Sequence, residues 1–121
     1  MRSVLLVALG GAIGASARYG LSLWGERFGA GPWGTWAANG LGCLLIGLAI
    51  PLVRADGARL AAVVGALGAF TTFSTYSAET VLLWEAGRRG LAVANAVGSV
   101  VVGLAFVGLG LWVGRAFAGS G

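Results

Sequence analysis

The side chains that could do chemistry in this sequence are concentrated between Gly65 and Glu79. This apolar part of the chain holds three aromatic rings and five serine or threonine residues, the latter at Thr71, Thr72, Ser74, Thr75 and Ser77. In lipid, backbone groups that leave a helix need partners within the protein, so irregular backbone survives there only where it is buried or lines a cavity. The stretch therefore points to a binding or conduction site. The alternative is that the hydroxyls bond to carbonyls of the preceding turn and bend a continuous helix.

The composition predicts the kind of fold that must position these groups. The chain has 121 residues, of which 58% are hydrophobic and 10% charged, and its mean hydropathy is +0.90. Because a membrane span needs about 20 apolar residues, there is room for four spans and little else. We therefore predict an all-α membrane protein, a single four-helix transmembrane domain over residues 1–121. The approximate spans are 4–24, 34–53, 60–84 and 91–113.

The same composition argues against several classes of protein. The single cysteine, Cys43, excludes an internal disulfide, and with no histidine a transition-metal site is not expected. The net charge of +4 comes from arginines scattered near span ends rather than clustered, so we expect no nucleic-acid partner. The N-terminus imitates a secretory signal, but its apolar run continues to Trp24 and three spans follow, so we do not expect cleavage.

Two stripes of small and polar residues lie on the second and fourth spans. On the second span they are Thr35, Asn39, Cys43 and Gly47, and on the fourth span they are Asn95, Ser99 and Gly103. Both sets are spaced at intervals of four residues, which places their side chains on one face of a helix. An amide in hydrocarbon must be hydrogen-bonded, so Asn39 bonds either to a neighbouring helix or to a solute that passes through the protein.

Arg18, near the end of the first span, likewise has two interpretations. Its head either reaches the interface along an apolar surface or stands at the vestibule of an anion path.

The arginines give almost no signal for orientation. With four spans, one side of the membrane receives Arg2, Arg54, Arg59 and Arg115. The other receives Arg27, Arg88, Arg89 and, if it points outward, Arg18. Because positive charge in short loops normally fixes the cytoplasmic side, a balanced chain is free to insert both ways. We expect the two orientations to pair about an axis in the membrane plane.

Three motifs resemble those of the CrcB/Fluc family of fluoride channels, and the resemblance covers essentially the whole chain. They are Gly10–Tyr19, Asn39–Gly42 and Gly68–Glu79. The resemblance implies passive export of fluoride across the bacterial inner (plasma) membrane by an antiparallel, dual-topology homodimer with two pores. It implies a third helix broken at its centre. It also implies a structural sodium ion at the dimer centre, held by the backbone carbonyls of Gly68 and Thr71.

The resemblance also implies roles for individual side chains. The pore residues are expected to be Asn39, Phe73, Tyr76 and Ser99, joined by the hydroxyls of Ser74 and Thr75. The vestibule residues are expected to be Arg18 and Glu79. Two positions depart from the family pattern: Tyr76 stands where phenylalanine is usual, and Asn95 where tyrosine is frequent. The added hydroxyl of Tyr76 could bind the ion or narrow the path.

Fluoride chemistry agrees with these residue types. The ion holds its water tightly, so a path must supply replacement hydrogen-bond donors, which the amide of Asn39 and the hydroxyls provide. Aromatic rings carry a positive edge that can face an anion without the hold of a fixed cation. Conduction needs binding weak enough for the ion to leave, and no arginine lies in the middle of spans two to four.

Three other classes of function compete with a channel. A small multidrug transporter would need an acidic residue within a span; the first span has none, and Glu79 lies near the end of the third. A non-transporting membrane scaffold would not need the polar stripes. We do not expect an enzyme, because no nucleophile and base are paired in the sequence.

Overall fold

The computed structural model describes residues 1–119, and its architecture is helical. Four runs are long and apolar enough to cross a membrane, which confirms the predicted four-helix membrane protein. We label the helices α1 (Arg2–Glu26), α2 (Trp33–Leu52), α3 (residues 56–70), α4 (Phe73–Glu85) and α5 (Arg89–Gly119). Helices α3 and α4 together form the third run.

Helices α1 and α5 extend beyond their predicted limits. Helix α1 continues to Glu26 rather than ending at Trp24, and α5 continues to Gly119 rather than ending at Val113. The apolar pattern reports the thickness of membrane crossed, whereas backbone hydrogen bonds continue until a turn ends them. The turn after α1 contains Gly29 at φ +86°, a backbone conformation that side chains with a Cβ disfavour.

Helices α1 and α3 pack backbone against backbone through glycine. A Cβ added to Gly14 would collide with the carbonyl oxygen of Ala66 and lie 3.0 Å from its Cα. One turn earlier, a Cβ on Gly10 would collide with the carbonyl of Ala61, and Gly65 faces α1 in the same way. In lipid, such small residues allow the close approach on which helix association depends.

Helices α2 and α5 form a second seam of the same kind. A Cβ on Gly47 would lie 2.5 Å from the carbonyl oxygen of Val107 and 3.0 Å from the Cα of Gly110. The two seams hold the four runs in two closely packed pairs, α1 with α3 and α2 with α5. The start of α4 lies beside the second pair, where it can line a space.

The third run changes its backbone geometry at Thr71 and Thr72. Leu60–Leu67 is a π-helical segment, and the helical backbone then stops at Phe70. Thr71 has φ −87° and ψ 157°, and Thr72 has φ −152° and ψ 124°, both extended. Helix α4 begins at Phe73 because the Thr72 hydroxyl accepts a hydrogen bond from the backbone N–H of Thr75 at 3.3 Å, a side-chain N-cap.

We expect Gly14→Ala to destabilise the protein, because the added methyl group would meet the backbone of α3 rather than a movable side chain. Overpacking of this kind costs about 1–3 kcal/mol, which should appear as a lower melting temperature of the purified protein in detergent. The matched control is Gly20→Ala, six residues further along α1, where no atom lies within 4 Å of an added Cβ. Equal melting temperatures for the two variants would contradict the close backbone packing of α1 against α3 at Gly14.

Candidate ion pathway

A cavity of about 360 Å³ opens between α2, the start of α4 and α5. It brings together four of the predicted pore residues, Asn39, Phe73, Tyr76 and Ser99. The other lining residues are Cys43, Thr71, Thr72, Val100, Gly103, Leu104 and Val107. None of these lining residues carries a formal charge, so an ion inside would meet polar groups, aromatic rings and aliphatic side chains but no charged side chain.

Asn39 holds the extended backbone at Thr72. The backbone N–H of Thr72 donates to Asn39 Oδ1 at 2.8 Å, and Asn39 Nδ2 donates to the carbonyl oxygen of Thr72 at 3.2 Å. Both backbone groups of Thr72 are therefore paired by one side chain, as apolar surroundings require. An amide nitrogen carries two hydrogens, so one hydrogen of Asn39 remains for another acceptor.

The hydroxyls of Ser74 and Thr75 cluster around the N-cap of α4 but do not line the 360 Å³ cavity. Thr72 Oγ1 lies 3.1 Å from Ser74 Oγ and donates to Thr75 Oγ1 at 3.3 Å. Ser74 is exposed on the outer face of the chain. The structure therefore separates these two residues from the four that line the cavity.

Phe73 and Tyr76 form an aromatic pair at the cavity. Their ring centroids are 5.5 Å apart and the rings are inclined at 38°. Phe73 is 78% exposed. The Tyr76 hydroxyl donates to the backbone carbonyl of Ala96 at 2.7 Å. Its hydrogen is thus committed to α5, so in this structure the hydroxyl does not offer its hydrogen to an ion.

Ser99 lines the cavity, but its hydroxyl hydrogen is directed at Asn95. Ser99 Oγ donates to Asn95 Oδ1 at 3.2 Å, one helical turn earlier. Asn95 is completely buried and also accepts from Trp36 Nε1 at 2.5 Å. The sequence marked Asn95 as a departure from the family pattern and as part of the stripe on the fourth span, and nothing in the sequence linked it to Trp36. Their interhelical bond is what sequence reasoning missed, and only the i, i+4 spacing of Asn95 and Ser99 hinted at it.

Arg18 and Glu79, the expected vestibule residues, lie outside the cavity. Arg18 Nε donates to the carbonyl oxygen of Ala69 at 3.3 Å, next to the end of α3. Glu79 Oε1 accepts from the Thr35 hydroxyl at 2.7 Å. Both Glu79 and Thr35 line a smaller space of about 170 Å³ beside the loop between α1 and α2. Arg18 therefore contacts backbone, and Glu79 faces a polar recess.

The carbonyl oxygens of Gly68 and Thr71 are left without the partners that a continuous helix would supply. The N–H of Thr72, four residues after Gly68, donates to Asn39 instead. The N–H of Thr75, four residues after Thr71, donates to the Thr72 hydroxyl. Within the described chain, these two carbonyls can therefore accept from another donor or bind a hard cation, which prefers oxygen ligands.

Comparison with known proteins shows the family to which the chain belongs. A family model described as "CrcB-like protein, Camphor Resistance (CrcB)" matches residues 5–111. The chain belongs to the CrcB family. Four apolar helices of spanning length and this membership make it a multi-pass bacterial membrane protein.

CrcB relatives are similar to the chain over nearly its whole length. A protein of Chloroflexus aurantiacus named "Fluoride-specific ion channel FluC" is 47% identical over 126 residues, covering 98% of this chain and 100% of the relative. Proteins of the same name from Thermus thermophilus (47% identical, 95% of both chains) and Paracoccus denitrificans (45% identical, 92% of this chain and 93% of the relative) are also similar.

Replacing Asn39 by alanine should destabilise this CrcB protein, because the N–H and the carbonyl of Thr72 would both lose their partner. Each buried unpaired group costs about 1–3 kcal/mol, measurable as a fall in melting temperature in detergent. Cys43→Ala is the matched control, since Cys43 lies one turn further along α2 and lines the same cavity. If Asn39→Ala melted at the same temperature as Cys43→Ala, Asn39 would not hold the backbone.

Proposed function

We propose that this chain is a fluoride-selective channel that exports fluoride passively across the inner (plasma) membrane of a bacterium. The observation that carries the proposal is the uncharged cavity, which places an amide hydrogen of Asn39 and the rings of Phe73 and Tyr76 around one space. Full-length similarity to relatives named fluoride-specific ion channels supports the same conclusion. Because those relatives are named as channels, we propose transport rather than catalysis.

The cavity suits a small, strongly hydrated anion. The free hydrogen of Asn39 and the positive edges of the two rings can each replace part of the water that fluoride loses. The absence of a charged side chain among the lining residues keeps binding weak enough for release. A second space of about 320 Å³ shares Asn39, Ser99 and Gly103 with the first and provides room for the ion to continue.

We further propose that two copies pair antiparallel and form two pores. A single copy leaves Ser74 exposed in a spanning segment, with the cavity open beside it. Beyond its bond with Thr72 Oγ1, the Ser74 hydroxyl finds no further partner in lipid, whereas a second copy could cover it and the cavity. The nearly equal distribution of arginine between the two sides supports opposite orientations of the two copies.

A sodium ion is the structural cation proposed for the centre of this dimer. The carbonyls of Gly68 and Thr71 lack helical partners, so the donor set present in the chain fits a hard cation. Two carbonyls from each copy would give four oxygens. When bound, sodium supplies positive charge and pairs the freed carbonyls.

A proton-coupled exporter of cations receives less support. Such a transporter requires an acidic residue on its path, and the two larger cavities contain none. A scaffold without transport would not account for the cavity or for the aromatic pair that lines it.

Fluoride efflux from liposomes is the direct test. Liposomes that contain the purified protein should release fluoride quickly and chloride hardly at all, as measured with ion-selective electrodes. Phe73→Ile should lower the fluoride rate at least about tenfold, because a ring-edge contact worth about 1.4 kcal/mol at the barrier changes a rate by that factor. The control is Phe28→Ile, since Phe28 is an exposed ring beyond α1. Absence of fluoride efflux from the unaltered protein would reject the channel.

Sodium and inverted pairing make a linked prediction. Replacing sodium with N-methylglucamine should lower the melting temperature of the dimer, because a cation bound only to the assembled protein stabilises it. Reporter domains fused after the last residue should be found on both sides of the membrane. A melting temperature that does not depend on sodium would contradict the proposed sodium site. A reporter confined to one side of the membrane would contradict the inverted dimer.

A further inference from the structure

Tyr76 is attached to α5 at two points. Its hydroxyl donates to the carbonyl oxygen of Ala96 at 2.7 Å, and its own backbone carbonyl accepts from Asn95 Nδ2 at 3.3 Å. Both partners lie in Ala94–Gly98, a π-helical segment within α5. Such segments occur frequently at functional sites. Here the segment offers one carbonyl and one side chain to the same tyrosine.

Asn95 has no hydrogen-bonding capacity left. Its nitrogen donates to the carbonyl of Tyr76 and, at 2.8 Å, to Thr80 Oγ1, while its oxygen accepts from Trp36 and Ser99. These four bonds use both hydrogens and both lone pairs of the amide. The residue is also completely buried. A saturated, buried amide is held in one position, because any movement would leave polar groups unpaired in an apolar interior.

We propose that Tyr76 and Asn95 form an interlock, defined here as the two bonds joining Tyr76 to Ala94–Gly98. The interlock fixes a wall of the pore and so strengthens this chain's discrimination between fluoride and larger halides. This inference rests on the proposed fluoride channel and deepens it. The ring of Tyr76 lies in the cavity wall beside Phe73. The interlock ties it at the hydroxyl and at the backbone, so the ring cannot tilt outward without breaking a bond.

A fixed wall penalises a larger ion more than a smaller one. The proposal requires that fluoride pass with the rings where they stand and that chloride need the wall to move aside. When the wall is free to move, the larger ion passes at a lower cost. Asn95 therefore acts as a positioning residue: it touches no ion, and its effect reaches the pore through Tyr76.

Tyr76→Phe is the decisive variant, because it removes the Ala96 bond and keeps the ring. We expect the ratio of chloride to fluoride permeability, measured by efflux from liposomes, to rise about two- to tenfold, the effect of one net hydrogen bond. Tyr19→Phe is the matched control. Tyr19 is the other tyrosine of the chain and is 64% exposed, so its replacement should leave the ratio unchanged.

Thr80→Val tests the interlock from the side of Asn95. It removes the hydroxyl that accepts from Asn95 Nδ2 while keeping the size of the side chain, and the permeability ratio should rise in the same direction. A merely structural role would lower the melting temperature and both rates together, leaving the ratio constant. An unchanged ratio in the variants, with the unaltered protein conducting fluoride, would overturn the interlock alone. No fluoride conduction by the unaltered protein would instead overturn the proposed function.

Discussion

The cost of unpaired backbone in an apolar environment is the constraint on which the structure depends. Two extended residues, Thr71 and Thr72, interrupt the third run, and lipid offers no partner for the groups they release. Asn39 pairs both backbone groups of Thr72, Thr72 in turn caps α4, and Arg18 takes the carbonyl of Ala69. Side chains from two other helices, α1 and α2, thereby fix one irregular point, and the cavity lies directly beside it.

Hydroxyl groups in these helices serve the backbone more often than the cavity. Ser22, Thr71, Ser77 and Thr80 each donate to the carbonyl four residues earlier, as serine and threonine in helices commonly do. Counting polar residues in the spans therefore overstates the donors available to an ion. The amide of Asn39 differs because a second hydrogen remains after it has bonded to Thr72.

The parts of the structure that follow from local rules could be predicted from the sequence. Four apolar lengths indicate four spans, and the concentration of hydroxyls after Gly68 marks the place where the backbone departs from the helix. The interhelical partners of Tyr76, Asn95 and Arg18 could not be predicted, because those bonds depend on how the helices pack. Spacing places Asn95 and Ser99 on one face of α5, but it does not indicate that Trp36 reaches them from α2. Motif resemblance names candidate pore side chains, but it does not show which of their hydrogens are already donated within the protein.

The glycine seams have a consequence for how this chain can diverge. Where backbones touch, as at Gly14 against Ala66 and Gly47 against Gly110, no larger residue fits and no neighbouring side chain can shrink to compensate. On the outward faces, by contrast, one aliphatic residue replaces another at little cost because lipid adapts to its shape. Sequence drift in such a protein is therefore confined to its surface, the reverse of a soluble domain whose aliphatic core can exchange volume among its members.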